Sequence, residues 1–447
     1  MQIQVESRFT QTDVVVVGGG MAGLTAACYL ARAGAAVTLF ERASNLGGRA
    51  STQTYEGYRF NRGAHAFYTG GAASSVFQEL GITYRYGSPT ETYVLRQGTL
   101  HLLPTSPLAL LRTDLLSVGD KLDLMRLFTV LPRVTPHILA RLSVEEWLQS
   151  AIRRPGVGQL LAALARTFVY STALDLVSAE VFVAKLQRSL KHPVHYVDGG
   201  WQTLVDALRH VAEQAGARIV GGTHVEAVEH QAGRVGGIRL RDGRRVKASA
   251  VIVATSPRDA VKLVDDGTSR ILRRVVDSLV PARVACLDVA LRRLPSTRYP
   301  IVQDLERSRF LTTQSLYSQL APEGGALVST FKQLDPRRPT DPSEDERDLE
   351  DLLDRAMPGW RDVLIKRVYL PQIEAVGALP TASGGGFAGR PGPRVSGLDN
   401  LYLAGDWVGS EGFQVDASVA SAREAAQLAL HHTALAPTPA TTTAAMV

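Results

Sequence analysis

Two cysteines in 447 residues are too few for a disulfide framework. Cys28 and Cys286 also lie in apolar contexts far apart, without the paired spacing of a zinc site, so a reducing cytoplasm is the expected compartment. No apolar run approaches the roughly 20 residues that a membrane span needs. The opening stretch, Met1-QIQVESRFTQT, is polar and lacks the apolar core of a secretory signal. Charge of either sign is scarce in excess: 49 Lys and Arg against 43 Asp and Glu leave a formal +6. The arginines are scattered, as in Arg153-Arg154, Arg273-Arg274 and Arg292-Arg293, without a basic repeat or interleaved aromatics, which argues against a nucleic-acid partner. The acidic run Asp341-PSEDERDLEDLLDR has no histidine or cysteine beside it and reads as a solvated helix face rather than a metal site. No metal is expected.

The information is concentrated between Asp13 and Arg49. Val14 to Val17 are four β-branched residues in a row, the pattern of a strand buried on both faces. Gly18, Gly20 and Gly23 follow at G-x-G-x-x-G spacing on the turn into an alanine- and leucine-rich helix, Ala22 to Ala33. The first glycine permits the tight turn, the second lets the backbone approach a pyrophosphate, and the third lets helix and strand pack closely. Gly34 stands where a glycine ends a helix, and Ala36 to Phe40 form the next strand, which ends at Glu41. A carboxylate there accepts hydrogen bonds from ribose hydroxyls, pointing to an adenosine diphosphate moiety with an unphosphorylated 2′ position. Gly384, Gly386 and Gly389 repeat the spacing, but they follow no apolar strand and run into Arg390-Pro391-Gly392-Pro393. That match reads as a loop.

Gly47-Gly48-Arg49 comes next, offering a further close backbone approach and a guanidinium for the pyrophosphate. With this extension the sequence resembles the flavin-containing amine oxidase superfamily, which takes in phytoene desaturases and protoporphyrinogen oxidases. The resemblance implies non-covalent FAD held by Gly18, Gly20, Met21, Ala22, Gly23, Glu41, Arg42, Gly47, Gly48 and Arg49. It continues in Asn400-LYLAGDWVGSEGFQVDASVASAREAAQLAL, where it assigns Gly405 and Asp406 to the ribityl chain. A helix from Ala417 to Leu430 would then have its N-terminal segment, Val415, Asp416, Ala417 and Ser418, facing the flavin pyrimidine edge. A helix N-terminus favours the negative charge that a reduced flavin develops there. A third segment, from Tyr196 to His230, combines a helix at about Gln202 to Gln214 with strands near Arg218 to Val220 and His224 to Glu229. Here the resemblance gives Val225 the adenine, and Ala250-VIVATSP reads as a further strand of the same sheet.

The expected fold class is α/β: a discontinuous Rossmann-like FAD-binding domain over residues 1–82, 196–272 and 374–434, with a second α+β substrate-binding domain over 83–195 and 273–373. Helical patterns at Asp120-KLDLMRLFTVL and Val144-EEWLQSAI, and a strand at Arg283-VACLDVALRRL, fall in the second. The proline- and threonine-rich tail, 435–447, is expected to be disordered. Apolar stripes at Leu122 to Leu131 and Gly158 to Val169 leave peripheral contact with the inner face of a membrane open beside the alternative of domain core.

A flavin takes a hydride at N5. With one nucleotide fold present and none for a bound nicotinamide, the acceptor is expected to be diffusible, oxygen or a quinone. In the family, the segment after G-G-R passes the isoalloxazine, here Phe60-NRGAHAFYTGG. Gly63 and Ala64 leave room for a ring, and His65 is the candidate catalytic donor or base, with a backbone-bonded histidine as the alternative. His192 and His195 are placed at the domain junction or the surface. Two departures bear on substrate. The lysine that many amine oxidases place before a central strand is matched here by Ala285. The paired tyrosines of their aromatic cage are missing from Trp407-VGSEGFQVD, where Trp407 and Phe413 are the aromatics present. Both departures favour a desaturase- or dehydrogenase-like enzyme acting on an apolar small molecule. An amine substrate anchored by Glu91, Glu411 or Asp416 is the alternative, and a non-redox isomerase or an FAD-binding protein without turnover is the reading from another class.

Overall fold

The computed structural model describes residues 11–265 and 270–435. The expected disorder of the tail, from residue 436 on, and most of the opening polar stretch lie outside these residues.

Two large sheets organise the chain. In the first, Gln11–Val17 pairs in parallel with Val37–Phe40 on one side and Arg245–Val253 on the other. Arg218–Val220 extends the sheet beyond Val37–Phe40, and Leu401–Leu403 adds to Arg245–Val253, both also in parallel. Parallel strands need covered faces, and Val14, Val15 and Val16 are wholly buried. Helices Met21–Arg32, Gln202–Gln214 and Val415–Leu435 pack together on one face through Leu24, Ala27, Leu204, Leu208 and Ala422. The antiparallel strands Val225–Gln231 and Arg234–Leu240 finish this sheet. The helix expected from Ala22 begins one residue earlier, and the C-terminal helix begins at Val415 rather than Ala417.

The second sheet runs in the order Leu364–Val376, Ala282–Leu291, Ala326–Gln333, Arg309–Thr312, Ile301–Asp304, Tyr93–Arg96, Thr99–Leu102. Leu364–Val376 runs across residue 374, the expected boundary between the two domains. Helix Pro342–Ala356 covers one face, setting Leu349, Leu352 and Leu353 against Ala285, Leu287 and Val289. This is the acidic run, and its charged face is less solvated than its composition suggests. Lys332 bridges Asp345 and Asp348 at 2.8 and 2.5 Å, and Arg309 reaches Asp351 at 2.8 Å. The described residues hold no cluster able to bind a metal.

Beside the other face of this sheet lies a helical layer that includes Val118–Val130, Pro155–Val169 and Ala179–Ser189. Leu160, Leu161 and Val169 are buried there, so the stripe at Gly158 to Val169 is core and not membrane-facing surface. The other stripe divides: Leu124, Leu127 and Leu131 point inward while Leu122, Met125 and Val130 are exposed. Gly386–Gly389 forms a short 3-10 turn inside a loop.

Candidate functional site

The three glycines of the first turn act differently because their neighbours differ. Gly18 has φ +112°, and a Cβ there would lie 2.5 Å from the Ala254 carbonyl oxygen. A Cβ on Gly23 would lie 1.8 Å from the Gly18 carbonyl oxygen, so helix and strand touch at that point. Gly20 meets nothing closer than 3.9 Å, and neither does Gly48, whose Cβ would face the Gly20 Cα. Gly47 donates its N–H to the Gly19 carbonyl (2.8 Å), bringing the two glycine segments together. Their bare backbones floor a cavity of about 810 Å³. Side chains at Gly20 or Gly48 would fill it, which is the fit a pyrophosphate requires.

Every residue assigned to the cofactor lines this cavity except Gly23 and Ala417, which are buried behind it. At one end Glu41 accepts hydrogen bonds from the N–H groups of Gly19 (2.7 Å) and Ala43 (2.8 Å), leaving further lone pairs for hydroxyls. Thr223 donates its N–H to the Glu41 carbonyl (2.8 Å), and Thr223 and Val225 line the same end. At the other end lie Gly63, Ala64, His65 and the start of helix Val415–Leu435.

Arg49 and Asp406 were each expected to serve a ligand, and they also hold one another. The guanidinium donates to both carboxylate oxygens at 2.8 and 2.6 Å, and Gly377 donates its N–H to Asp406 at 2.8 Å. Burial would raise the Asp406 carboxyl, but the charge and hydrogen bonds of Arg49 keep it below the usual range. Arg49 leaves 47% of its side chain accessible and Asp406 only 3%. The arginine therefore still faces the cavity, while the aspartate acts first by holding that arginine. Asp416 is similarly engaged, by Arg188 and by the N–H of Ala73 (2.9 Å).

A second cavity of about 290 Å³ adjoins the first, and the two share Ala64, His65, Ala66, Tyr68, Tyr170 and Phe331 as lining residues. Its wall is leucine and aromatic, with hydroxyls and amides such as Thr167, Gln303 and Thr312 and no Asp, Glu, Lys or Arg. His65 sits at the junction. Its Nδ1 lies 2.9 Å from the Gly63 carbonyl, so Nδ1 carries the proton and donates, and its ring meets Trp201 edge-on at 5.0 Å. Burial lowers its pKa, so the ring is neutral near pH 7. The backbone bond considered for this histidine is therefore present, and it engages Nδ1.

Several expectations fail here. On strand Ala282–Leu291, side chains alternate between faces, and it is Val284 and Cys286 that face the cavity. Ala285, the position matched to the lysine of amine oxidases, packs on the opposite side against the acidic helix and does not face the cavity. Trp407 is buried, with its Nε1 donating to the Thr255 carbonyl at 3.0 Å, and of the two C-terminal aromatics only Phe413 reaches the cavity. Glu91 is exposed and accepts from Tyr93, and Glu411 is exposed near Arg423, so neither can anchor an ammonium group here. His195 is buried outside both cavities, stacked on Tyr86, whereas His192 is exposed against Gly70, the surface position expected as one of its two readings.

One lining residue carried no motif. Lys185 Nζ donates to the Phe168 carbonyl (3.0 Å) and Gln414 Oε1 (2.9 Å), and lies 4.0 Å from the Tyr68 ring centre, with Tyr170 and Phe413 at 5.5 Å. Burial and then the charge of Arg188 lower its pKa to about 7, against the pull of Asp416. The sequence around it, AEVFVAKLQRS, reads only as an amphipathic helix.

The sequence model of the family described as flavin containing amine oxidoreductase matches residues 21–430. A carotenoid 3,4-desaturase of Haloarcula japonica is 61% identical over 51 residues, 11% of this chain and only 10% of that protein's length. A 4,4'-diapolycopen-4-al dehydrogenase of Metabacillus indicus is 22% identical over 457 residues, 88% of this chain and 92% of the relative. The crystal structure of an oxidoreductase from Methanosarcina mazei shares the fold, with a TM-score of 0.73 at 20% identity over 93% of this chain and 100% of that one. With a cavity floored by two glycine segments and a family match over nearly the whole chain, this protein belongs to the flavin-containing amine oxidoreductase family.

Proposed function

We propose that the chain binds FAD non-covalently in the larger cavity and uses it to withdraw two electrons from an apolar small molecule held in the smaller one, as a desaturase or dehydrogenase. The observation that carries this reading is the wall of the smaller cavity. It adjoins the flavin end of the larger cavity yet presents no charged side chain. Burying an ammonium group there would leave it without a counter-ion, which costs far more than burying a hydrocarbon. Gly20, Gly48 and Arg49 would hold the pyrophosphate, Glu41 the ribose and Val225 the adenine. Gly63 and Ala64 leave space for the ring, and the N-terminus of Val415–Leu435 would face its pyrimidine edge. The bound flavin supplies a two-electron acceptor.

The chain's own residues supply enclosure and orientation. His65 is neutral, with Nδ1 donating to Gly63, so it shapes the junction while its Nε2 lone pair remains the candidate base there. Oxygen or a quinone would then reoxidise the flavin.

The deciding experiment is the absorbance spectrum of the purified protein followed by anaerobic mixing with substrates. Release of intact FAD on denaturation and bleaching by apolar polyenes or terpenoids, but not by amines, is the expected result. Bleaching by amines alone would replace this reading with an amine oxidase. A flavin that no substrate bleaches would favour non-redox isomerisation or FAD binding without turnover.

A further inference from the structure

Aromatic rings form an unbroken file from the larger cavity to the surface. Trp201 lines that cavity beside His65. Trp201 meets Phe67 at 6.2 Å, Phe67 meets Tyr84 at 5.6 Å, and Tyr84 meets Tyr86 at 5.8 Å, measured between ring centres. Phe67 is wholly buried and Tyr84 half-buried, while Tyr86 ends the file with 52% of its surface exposed.

The file exists because one small sheet has two different faces. Its strands are Phe67–Tyr68, Val194–Val197 and Tyr86–Gly87, with Phe67 opposite His195 and Tyr86 opposite Val197. Side chains alternate across a strand. Tyr68, Val194 and Tyr196 line the smaller cavity, so Phe67 and His195 turn to the other side. Apolar packing accounts for Phe67, which stacks on Phe77 at 5.5 Å. It does not account for the polar atoms beside it. The Tyr84 hydroxyl lies 3.1 Å from His195 Nδ1, and the His195 ring lies nearly parallel to Tyr86, with centres 3.4 Å apart. Burial lowers the pKa of His195 and raises that of Tyr84 to about 12. At neutral pH the pair is therefore a phenol donating to a neutral imidazole.

Indole and phenol rings give up a single electron far more readily than phenylalanine or an aliphatic side chain. A phenol that loses an electron becomes a strong acid and must shed its proton at once, and a neutral imidazole on the hydroxyl accepts it. An exposed phenol at the end of the file meets reductants in solution.

We propose that Trp201, Tyr84 and Tyr86, with His195 as proton acceptor, carry a one-electron hole from the larger cavity to the surface, where a soluble thiol fills it. The proposal rests on the flavin reading for its oxidant, the light-excited oxidised flavin. Trp201 gives that oxidant one electron and regains one from Tyr84 across Phe67, as the Tyr84 proton passes to His195 Nδ1. Tyr86 then returns an electron to Tyr84, the proton moves back from His195, and Tyr86 loses its own proton to water. A thiol restores one electron and one proton to Tyr86 and is left one electron oxidised. The path draws an oxidising equivalent away from an apolar molecule held beside the cavity.

The test is anaerobic blue-light excitation of the flavin-loaded protein, read by transient absorption and by electron paramagnetic resonance. A tryptophan radical followed by a tyrosine radical is the expected sequence, and dithiothreitol should quench the tyrosine signal. Tyr84→Phe with Tyr86→Phe should lose the tyrosine signal and leave the tryptophan one. His195→Phe keeps both phenols and should still delay the tyrosine signal, which a merely structural histidine would not do. Tyr55→Phe, at an exposed position off the file, should change nothing. Unchanged melting temperatures and flavin content would show that the variants fold. A tyrosine signal equal in wild type and the double variant would overturn the path, and so would flavin-loaded wild type that shows none. His195→Phe that matches wild type would remove the histidine from it. A protein that cannot be loaded with flavin would overturn the flavin reading and the path together.

Discussion

The two adjoining cavities are built on opposite plans. The larger one is floored by backbone: Gly20 and Gly48 present bare peptide to it, and three of its charged groups, Glu41, Arg49 and Asp406, are fixed by hydrogen bonds to backbone or to each other. The smaller one is walled by side chains from helices and strands far apart in sequence, among them Leu103, Phe128, Leu164, Tyr196, Ile301 and Phe331. A backbone floor can recognise a diphosphate only if its glycines are spaced correctly, so it tolerates almost no substitution. A side-chain wall recognises shape and apolarity, and many sequences can supply these. On the proposed assignment, the cofactor end would be set by backbone spacing and the substrate end by side-chain shape.

The sharpest way to break that comparison is Gly20→Val. Its Cβ would meet no protein atom within 3.8 Å, so the chain should fold while the branched side chain occupies the space of the pyrophosphate. The expected outcome is complete loss of bound flavin, read from the visible spectrum, with a cooperative melt retained. Full flavin content in this variant would mean that the cavity floor has been assigned to the wrong ligand.

Leu164→Glu applies the opposite test. Leu164 lines only the smaller cavity and is partly accessible. Desolvating the new carboxylate under an apolar ligand should cost about 3 kcal/mol or more, roughly a hundredfold in kcat/KM. Flavin content should not change. An equal loss of flavin would show that the two cavities are not separable.

Glu41→Ala should have a smaller effect on the cofactor end. Losing a charge-assisted hydrogen bond costs about 1–3 kcal/mol, so FAD affinity measured on the reconstituted apoprotein should fall by roughly 5- to 150-fold. Part of that loss would come from the N–H groups of Gly19 and Ala43, which Glu41 now satisfies. Glu41→Gln, which keeps one acceptor, should recover some of it. Unaltered affinity in the alanine variant would move the ribose elsewhere.

Legibility from sequence follows the same division. The motif from Val14 to Arg49 could be read because its logic is local: strand, turn, helix, strand and terminal acid succeed one another within 40 residues, and each local preference agrees with the fold. The bounds of the amphipathic helix Gln202–Gln214 were also legible from its periodicity. Side-chain direction on Ala282–Leu291 was not, because a register error of one residue exchanges the two faces of a strand, and nothing in the apolar run distinguishes Ala285 from Cys286. Trp407 went astray for a related reason. Its indole N–H found the Thr255 carbonyl, a partner 152 residues away. The capture of Asp406 by Arg49 spans 357 residues and is visible only once both ends of the chain meet.

Lys185 belongs to neither plan and yields the smallest expected effect, with a definite sign. Its amine is enclosed by aromatic rings and two neutral acceptors. The charged groups acting on it are Arg188 from its own helix and Asp416 from Val415–Leu435, and Tyr68 and Tyr170 supply phenols from two other elements. Its pKa is lowered from 10.5 to about 7 in the folded chain. Below that value the amine is protonated in both states, and the folded state bears the full cost of burying a charge. Between about 7 and 10.5 the unfolded chain still holds a proton that the native chain has released, so this group makes stability rise with pH across that window. Lys185→Met keeps the length and removes the titration. The methionine variant should therefore melt a few degrees above wild type at pH 6, with the gap closing as the pH approaches 10. Taking the difference between the two proteins at each pH cancels the other titrating groups. A gap that stays constant would show that the amine does not change charge in this range, and that Asp416 compensates it more fully than the enclosing rings suggest.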